Sequence, residues 1–332
     1  MRLMLWIIAG LTALYCGYWA VASRVIRAGA EAAIARMRAE ETADVAAFGL
    51  AGFPARFDIT LEAPRFASRD GTFHWSAPEI RLYALSYRPQ HVIAILPPQQ
   101  RLGIGRETVA VTSQAFSASA VFGLAAAVPL DHAQTVGKAV VLSSDAGWGL
   151  AVDELRAAVR RGEDETIQRV GIELLGLTLS GAPAEVVTAG GALPARGERL
   201  YLDATLGLDR PLDRFAVAEG LRVQSAEITA LALDWGPAGF SGQGRVALSA
   251  EGVPEGRVEL SLRNWRAVLR LGVALGLLRP ETAPTVERAA ESLARMGGDA
   301  EVLTLPLVFA GGQMSLGPVP LGPVPLGPAP RF

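Results

Sequence analysis

The sequence predicts a mainly β protein with minor helices: a long, curved antiparallel sheet, an N-terminal transmembrane helix and two helices near the C-terminus. Three observations predict this fold class. An uncharged apolar run opens the chain, segments with apolar residues at every second position fill most of the remainder, and turn residues separate those segments. Strands that follow one another through short turns pair antiparallel, so the pattern favours meanders over parallel βαβ units.

Composition narrows the class of protein. Half of the 332 residues are hydrophobic (50%), so the chain has ample material for a core and disorder is excluded for most of it. The 31 basic and 33 acidic residues give a formal charge of −2, which argues against a nucleic-acid-binding protein. The mean hydropathy of +0.29 is high for a soluble protein, which indicates that part of the chain spans or contacts a membrane.

The N-terminal apolar run, Leu3–Ala22, contains no charge and has the length that an α-helix needs to cross a bilayer. Its length and the aromatic residues near its ends favour a retained anchor over a secretory signal peptide. The small residues Ala20-Val21-Ala22 would suit signal-peptide cleavage, so both alternatives stay open. The flanking positive charges, Arg2 against Arg24 and Arg27, barely discriminate between the two orientations.

The pattern divides the chain into four segments. Residues 1–22 are the anchor, and residues 23–48 form an Ala-rich helical stalk with charged residues spaced among apolar ones. Glycines and a proline end that helix, and a β-rich domain follows over residues 49–315. Residues 316–332 form a Pro-rich tail that repeats LGPVP, LGPVP and LGPAP. Prolines at this density forbid a central strand and favour extended polyproline II.

Apolar and polar residues alternate in many segments of the β-rich domain, and each segment predicts a strand with one apolar face. The segments include residues 56–62, 80–87, 92–96, 109–116, 199–209, 227–235, 245–250 and 257–263. Glycine-rich stretches between them indicate turns. The glycines in these predicted turns include Gly239, Gly242, Gly244 and Gly256.

Three further segments complete the predicted elements. Residues 150–179 fit either a helix or a hairpin around the polar turn Gly162–Glu165, and we favour the hairpin. Trp265–Leu278 and Thr285–Met296 have helical patterns. Leu303–Phe309 then predicts a last strand.

The residue types that catalysis or metal binding needs do not cluster along the sequence. His74, His91 and His132 are distant from one another and from Cys16, so no zinc-ligand spacing exists. Gly103-Ile104-Gly105 lacks the third glycine of a dinucleotide-binding loop, and no nucleophile elbow or phosphate loop occurs. We therefore expect a protein that is not an enzyme and that needs no cofactor or metal.

Two segments resemble the signatures of a bacterial envelope family. They are GFPARFDITLEAPRF at Gly52–Phe66 and LPLVFAGGQMSLGP, running into LGPAPRF, at Leu305–Phe332. Both are similar to motifs of domain-of-unknown-function family 2125, with Gly52, Phe53 and Pro54 in the first motif. The resemblance spans nearly the whole chain. It implies a single-pass protein of the inner membrane with its bulk in the periplasm, and it implies no activity.

More distantly, the alternating strands followed by helices are similar to AsmA-like envelope proteins, which shelter lipid chains on a long curved sheet. We therefore expect non-enzymatic binding or transfer of membrane lipid along an apolar groove. A curved sheet with one apolar face needs a second sheet, a helix or a ligand to cover that face. The candidate lining residues, which equally suit an ordinary sandwich core, are Phe57, Ile59, Leu61, Leu200, Leu202, Leu206 and Leu208.

Two other classes of function stay open. The Pro-rich tail suits an envelope scaffold or assembly module that docks a protein partner. The alternation and the terminal Phe332 suit an outer-membrane barrel. However, the prolines from Pro318 to Pro330 exclude a closing strand there, and a helix that begins at Trp265 does not fit a barrel.

Overall fold

A computed structural model gives the fold, and the structure describes residues 2–68, 71–188, 193–216, 221–249, 252–274, 281, 283–317 and 319–324. The helices within these residues are α1 (Arg2–Ala39), α2 (Ala182–Thr188), α3 (Trp265–Ala274) and α4 (Ala283–Met296). The strands are β1 (Ala43–Asp44), β2 (Ala47–Ala51), β3 (Arg56–Glu62), β4 (Arg65–Ala67), β5 (Phe73–Ser76), β6 (Glu79–Leu85), β7 (Arg88–Leu96), β8 (Gln99–Ile104), β9 (Glu107–Thr112), β10 (Ala115–Phe122), β11 (Leu130–Ser144), β12 (Gly149–Arg161), β13 (Ile167–Ser180), β14 (Arg196–Leu208), β15 (Val223–Trp235), β16 (Ala238–Leu248), β17 (Pro254–Arg263), β18 (Val302–Ala310), β19 (Gln313–Leu316) and β20 (Val319–Pro323).

These strands form one open, curved sheet in which the chain runs up and down. From β10 to β20 each strand pairs antiparallel with the next along the chain. The earlier strands form two arms, β2–β3–β6–β7–β10 and β1–β4–β5–β8–β9. Both arms meet on β11, where residues 130–138 pair with β10 and residues 141–144 pair with β9.

The two arms are separated by a break in the strand pairing, which we call the crease, and prolines lie along it. Short strands such as β3 and β4 run one after the other, as two parts of one longer interrupted strand. Pro64, Pro78 and Pro97-Pro98 lie at the interruptions. A proline has no N–H to donate to a ladder, so the pairing is interrupted there. The N–H of Ala63 still donates to the carbonyl oxygen of Pro78 at 2.7 Å. The crease therefore keeps part of its hydrogen bonding while it divides the sheet.

The predicted antiparallel β fold is confirmed, together with the long N-terminal helix and the helices near the C-terminus. The favoured hairpin over residues 150–179 is also confirmed, as β12 and β13. The predicted helix over residues 23–48 is too long, because α1 ends at Ala39 and residues 43–51 begin the sheet. The N–H of Thr42 donates to the carbonyl oxygen of Met37 at 2.9 Å, which closes the last turn.

The turn prediction is wrong for Gly239, Gly242 and Gly244, because these glycines lie within β16. The close approach of the next strand explains them: a Cβ at Gly244 would lie 2.3 Å from the backbone oxygen of Arg257. Gly256 also lies within its strand, β17, where its φ of 149° suits glycine. Glycine here permits tight strand packing instead of a chain reversal.

The polyproline prediction is wrong for residues 319–323, which form β20 and pair with β19. A proline is tolerated in this position because β20 is at the edge of the sheet, where a missing donor costs no ladder bond. Residues 325–332, which hold the last repeat, lie outside the described residues. So do residues 275–278 of the first predicted C-terminal helix, Trp265–Leu278.

The strands of the sheet have two ends, and different elements pack at each. At one end, which we call the anchor end, α1 reaches the β2–β3 and β6–β7 turns through Tyr15, Tyr18 and Trp19. At the other, the capped end, α2, α3 and α4 pack on β13, β16 and β18. Trp265 at the start of α3 is fully buried among residues that include Leu262 and Leu303. The main buried clusters near α2–α4 therefore lie at the capped end.

Candidate lipid-binding face and the docking of helix α1

One row of side chains crosses thirteen strands through direct cross-strand pairs. Its members, from β2 to β18, are Leu50, Ile59, Leu82, Ala94, Ala118, Thr135, Ala157, Ile172, Leu202, Leu231, Gly242, Leu260 and Leu305. Thr135 is the one polar member, and its hydroxyl donates to the carbonyl oxygen of Ser117 at 3.0 Å. Neighbouring strands lie about 4.8 Å apart, so the row extends about 58 Å across the sheet.

A second row runs beside the first, two residues nearer the anchor end on each strand except β15, where a bulge makes the separation three residues. It consists of Phe57, Ala84, Val92, Ala120, Ala133, Val159, Val170, Ala204, Ile228, Gly244, Val258 and Leu307. None of these twelve residues has a polar side chain. Residues two apart along a strand share a face. Both rows therefore belong to one surface, which we call the apolar face.

The opposite face of the sheet is charged from β12 to β16. Glu173 on β13 accepts a hydrogen bond from Arg199 at 2.8 Å and lies 3.5 Å from Arg156, so one carboxylate links three strands. Further along, Arg245 pairs with Glu227 at 2.8 Å. These ion pairs are partly or fully exposed and contribute little stability each. Their position shows which face of the sheet meets water.

The apolar face is half-buried along most of its length. Every member of the first row from Leu50 to Leu260 has intermediate exposure, and Leu305 is buried. Alternate residues on the other face, such as Arg156, Ala158 and Arg160, are exposed. Neighbouring side chains on one face of a sheet shield one another, which accounts for partial burial without a covering element. The apolar face is therefore partly shielded from water by its own side chains.

Helices cover the apolar face near its first strands and at the capped end of β13 to β18. Near the first strands, Trp19 of α1 stacks on Phe57 at 5.9 Å and Arg27 lies 5.9 Å from the ring centre of Phe48. Near the last strands, the cluster around Trp265 covers Leu305. The principal helix contacts are with β1, β2, β13, β16 and β18. Among the described residues, α1 reaches the β6–β7 turn at Ser86, and the strands from β6 to β11 have no principal helix contact.

Helix α1 is fixed to the anchor end by hydrogen bonds. Ser86, in the β6–β7 turn, is fully buried, and its hydroxyl donates to the carbonyl oxygen of Pro54 at 3.1 Å. The hydroxyl of Tyr15 therefore donates to Ser86 Oγ, 2.6 Å away. Tyr18 donates to the carbonyl oxygen of Ser86 at 2.8 Å, and the indole of Trp19 donates to that of Arg56 at 2.9 Å. Three aromatic residues thus bind two neighbouring turns.

The motif residues Gly52, Phe53 and Pro54 build this docking site. Gly52 has a φ of 98°, and a Cβ there would lie 2.9 Å from the carbonyl oxygen of Arg56. The ring of Phe53 meets Trp19 edge-on at 5.1 Å. Pro54 supplies the acceptor for Ser86. The motif therefore positions α1 against the sheet.

All seven predicted lining residues belong to the apolar face, at two separate places. Ile59, Leu61, Leu202 and Leu206 are half-buried there. Phe57 and Leu208 are buried by the chain itself, at 2% and 5% exposure, which makes them core residues. Leu200 packs against the buried cluster of Leu177 and Trp235. The two predicted groups are separated by the strands from β6 to β13.

Sequence reasoning missed the residues that connect these two groups. Ala94, Ala118 and Ala157 are small, and alternating alanines give a weak apolar signal. Alternation also does not reveal which strands are neighbours, whereas the cross-strand register does. The role of Ser86 gives no sequence signal, because its three partners are distant along the chain.

A family model matches residues 19–325 of the chain, and its description is "Uncharacterized protein conserved in bacteria (DUF2125)". The chain belongs to this family. The predicted membership is therefore confirmed, and the match covers the apolar face, the Gly52–Pro54 motif and Ser86, together with Trp19 of α1. No curated protein and no solved structure gives a significant match. The distant similarity to AsmA-like proteins stays a prediction.

Proposed function

We propose that this DUF2125 protein binds membrane lipid along the apolar face, as a non-enzymatic protein of the bacterial envelope. The observation that carries the proposal is the first row of the apolar face, which continues across thirteen strands with a single polar member. Lipid acyl chains are long, flexible and apolar. A sheltered apolar strip about 58 Å long suits such chains better than a compact polar substrate.

The apolar face supplies enough surface for binding without specific polar contacts. An acyl chain that buries about 300 Å² gains about 7 kcal/mol at 25 cal/mol per Å², before ordering costs. The small side chains of Ala94, Ala118 and Ala157 leave room over the middle strands. Binding of this kind selects for apolar chains and places no demand on a particular head group.

We propose further that α1 is a retained anchor in the inner membrane. Within the described residues, α1 is the one helix whose length and composition would allow it to cross a membrane. It continues past Ala22 to Ala39, and cleavage after Ala22 would remove Trp19 from Phe57 and both tyrosines from Ser86. These contacts support an anchor that stays with the folded domain.

Two measurements test lipid binding. Native mass spectrometry of the full chain, extracted in mild detergent, should reveal bound lipid. A photo-crosslinking residue at Leu202, on the apolar face, should label lipid acyl chains, whereas the same residue at Tyr201, its neighbour on the charged face, should not. Empty protein under conditions that keep lipid on a known carrier, or equal labelling at both positions, would contradict the proposal.

The periplasmic orientation has its own test. A phosphatase that folds only outside the cytoplasm, fused after residue 324, should be active if the bulk of the chain lies in the periplasm. An inactive fusion of a stably folded protein would reverse the assigned orientation.

The alternative, a scaffold that docks a partner through the Pro-rich tail, stays a prediction. Residues 319–323 pair with β19 and so contribute to the protein's own sheet. Deletion after Gly317 separates the two roles: loss of a partner with the fold retained would favour docking, whereas loss of stability would favour packing.

A further inference from the structure

Exposed apolar side chains are concentrated in the turns of the anchor end. Phe53 (57% exposed) lies in the β2–β3 turn, Tyr87 (65%) in the β6–β7 turn, and Leu124 (84%) in the β10–β11 loop. Phe215 (45%) lies in the β14–β15 loop. We call these four residues the rim. Large apolar side chains on exposed turn tips are unusual in a soluble protein and indicate a surface that contacts something apolar.

The rim residues sit on connected turns. The Ser86 hydroxyl joins the β6–β7 turn to Pro54, next to Phe53. The two longer loops are also joined: the N–H of Arg214 donates to the carbonyl oxygen of Ala127 at 3.1 Å. The turn tips are therefore held in two pairs, Phe53 with Tyr87 and Leu124 with Phe215. Both pairs lie at the anchor end of the sheet.

The length of α1 brings this end of the sheet to the membrane. The part of α1 that projects beyond the docking site, Arg2–Leu14, rises about 20 Å, whereas the hydrocarbon core of a bilayer is about 30 Å thick. A complete crossing therefore needs the next residues, Tyr15–Ala22. That segment is the part of α1 that packs on Phe53, Phe57 and Ser86. The anchor end cannot stay clear of the bilayer if α1 crosses it.

From this geometry we infer that the rim inserts into the interface of the bilayer that α1 crosses. This inference rests on the proposed anchor and is independent of lipid binding on the apolar face. Aromatic residues such as Tyr87 and Phe215 suit the depth of the head groups. Arg214 lies 4.6 Å from the ring centre of Phe215, where its guanidinium would meet phosphate. The strands of the sheet would then begin at the membrane surface.

Charge at the anchor end does not select a lipid class. The β12–β13 turn carries Glu163, Asp164 and Glu165, which offset basic residues such as Arg88 and Arg214. Apolar insertion therefore drives the contact, and phosphatidylcholine, which has no net charge, is sufficient as a probe.

Depth-dependent fluorescence quenching tests the inference in the full chain. Cys16 is the sole cysteine, so Cys16→Ala gives a background for single labels in phosphatidylcholine vesicles. Leu124→Cys and Phe215→Cys would carry an environment-sensitive dye on the rim. Phe73→Cys and Ile104→Cys, which replace apolar residues with 44% and 54% exposure, are matched controls. They lie in the arm beside Arg38, about 35 Å further along α1 than Tyr15.

Quenchers attached near the lipid head groups should reduce rim fluorescence at least about threefold more than control fluorescence, because inserted residues lie within about 5–10 Å of the acyl boundary. A label at Ile8→Cys reports the anchor itself. Quenching of Ile8 at the bilayer centre with no excess quenching at the rim would overturn the inference and leave the anchor intact. Equal quenching of rim and control labels would also overturn it.

Discussion

A pair of tryptophan substitutions separates an open apolar face from a closed core. Ala157 and Ala158 are neighbours on β12, and they belong to opposite faces of the sheet. Ala157 pairs with Thr135 and Ile172, whereas Ala158 is exposed and pairs with Gln134. Overpacking a close-packed core typically costs about 1–3 kcal/mol, and a change as large as alanine to tryptophan lies at the upper end of that range. On an open face the indole finds room, so we expect both variants to unfold within about 1 kcal/mol of the wild type.

The same substitution should weaken lipid binding on one face. A buried indole removes about 200 Å² from water, equivalent to about 5 kcal/mol at 25 cal/mol per Å². The indole of Ala157→Trp would occupy surface that a lipid would otherwise cover. If this lowers the free energy of lipid binding by even 1.4 kcal/mol, lipid affinity falls about tenfold. Ala158→Trp should leave it unchanged.

Urea unfolding, followed by circular dichroism in detergent, measures the first effect, and native mass spectrometry measures the second. Two results would refute the reasoning. If Ala157→Trp lowers the free energy of unfolding by about 3 kcal/mol while Ala158→Trp does not, the apolar face is a closed core. If both variants retain the same lipid, the lipid binds elsewhere.

Three further predictions concern the contacts that hold the fold. Ser86→Ala removes the acceptor of Tyr15 at a fully buried position, so thermal unfolding should show a loss of about 2 kcal/mol and proteases should cut α1 faster. Trp265→Ala empties the fully buried centre of the capped end, and denaturant unfolding should show a loss of about 3–5 kcal/mol. The hydrogen bond from His132 and the nearby guanidinium of Arg161 on β12 hold the pKa of Asp131 below its ordinary value, although desolvation opposes them. A lowered pKa stabilises the fold above the unfolded pKa of about 3.9 and loses that effect as pH falls through the folded value. Because the Asp131 side chain is 40% exposed, Asp131→Asn should cost less than about 1 kcal/mol at pH 7, and nothing below the folded pKa. Stability that is equally lowered at pH 7 and pH 2 would show that packing, not charge, causes the loss.

Local patterns predicted the elements of this fold where they were strong. The uncharged run Leu3–Ala22 predicted the N-terminal helix, and alternation predicted strands such as β3 and β14. Prediction failed where two structures share one local pattern. Alanine-rich residues up to 48 suit a helix, yet the sheet begins at Ala43 because edge pairing with β4 is available. Gly239–Gly244 resemble a turn, yet glycine also permits the close strand packing that β16 needs.

The candidate site was only partly accessible from sequence for the same reason. The strands that carry Ile59 and Leu202 were recognised, but each is one element in a row whose middle members include three alanines and a threonine. The docking residue Ser86 could not be recognised, because its partners come from residues 15, 18 and 54.

The sequence by itself determined that this protein has one apolar helix at its N-terminus, a β-rich body with two-sided strands, and membership of the bacterial family DUF2125. Those properties depend on hydropathy and on residues close together along the chain. Only the tertiary structure decided that thirteen strands align their apolar sides into one row, that helices cover its first strands and the capped end of β13 to β18, and that α1 docks on Ser86. Pairing register and helix docking are contacts between distant residues, and local spacing carries no information about which distant residues meet.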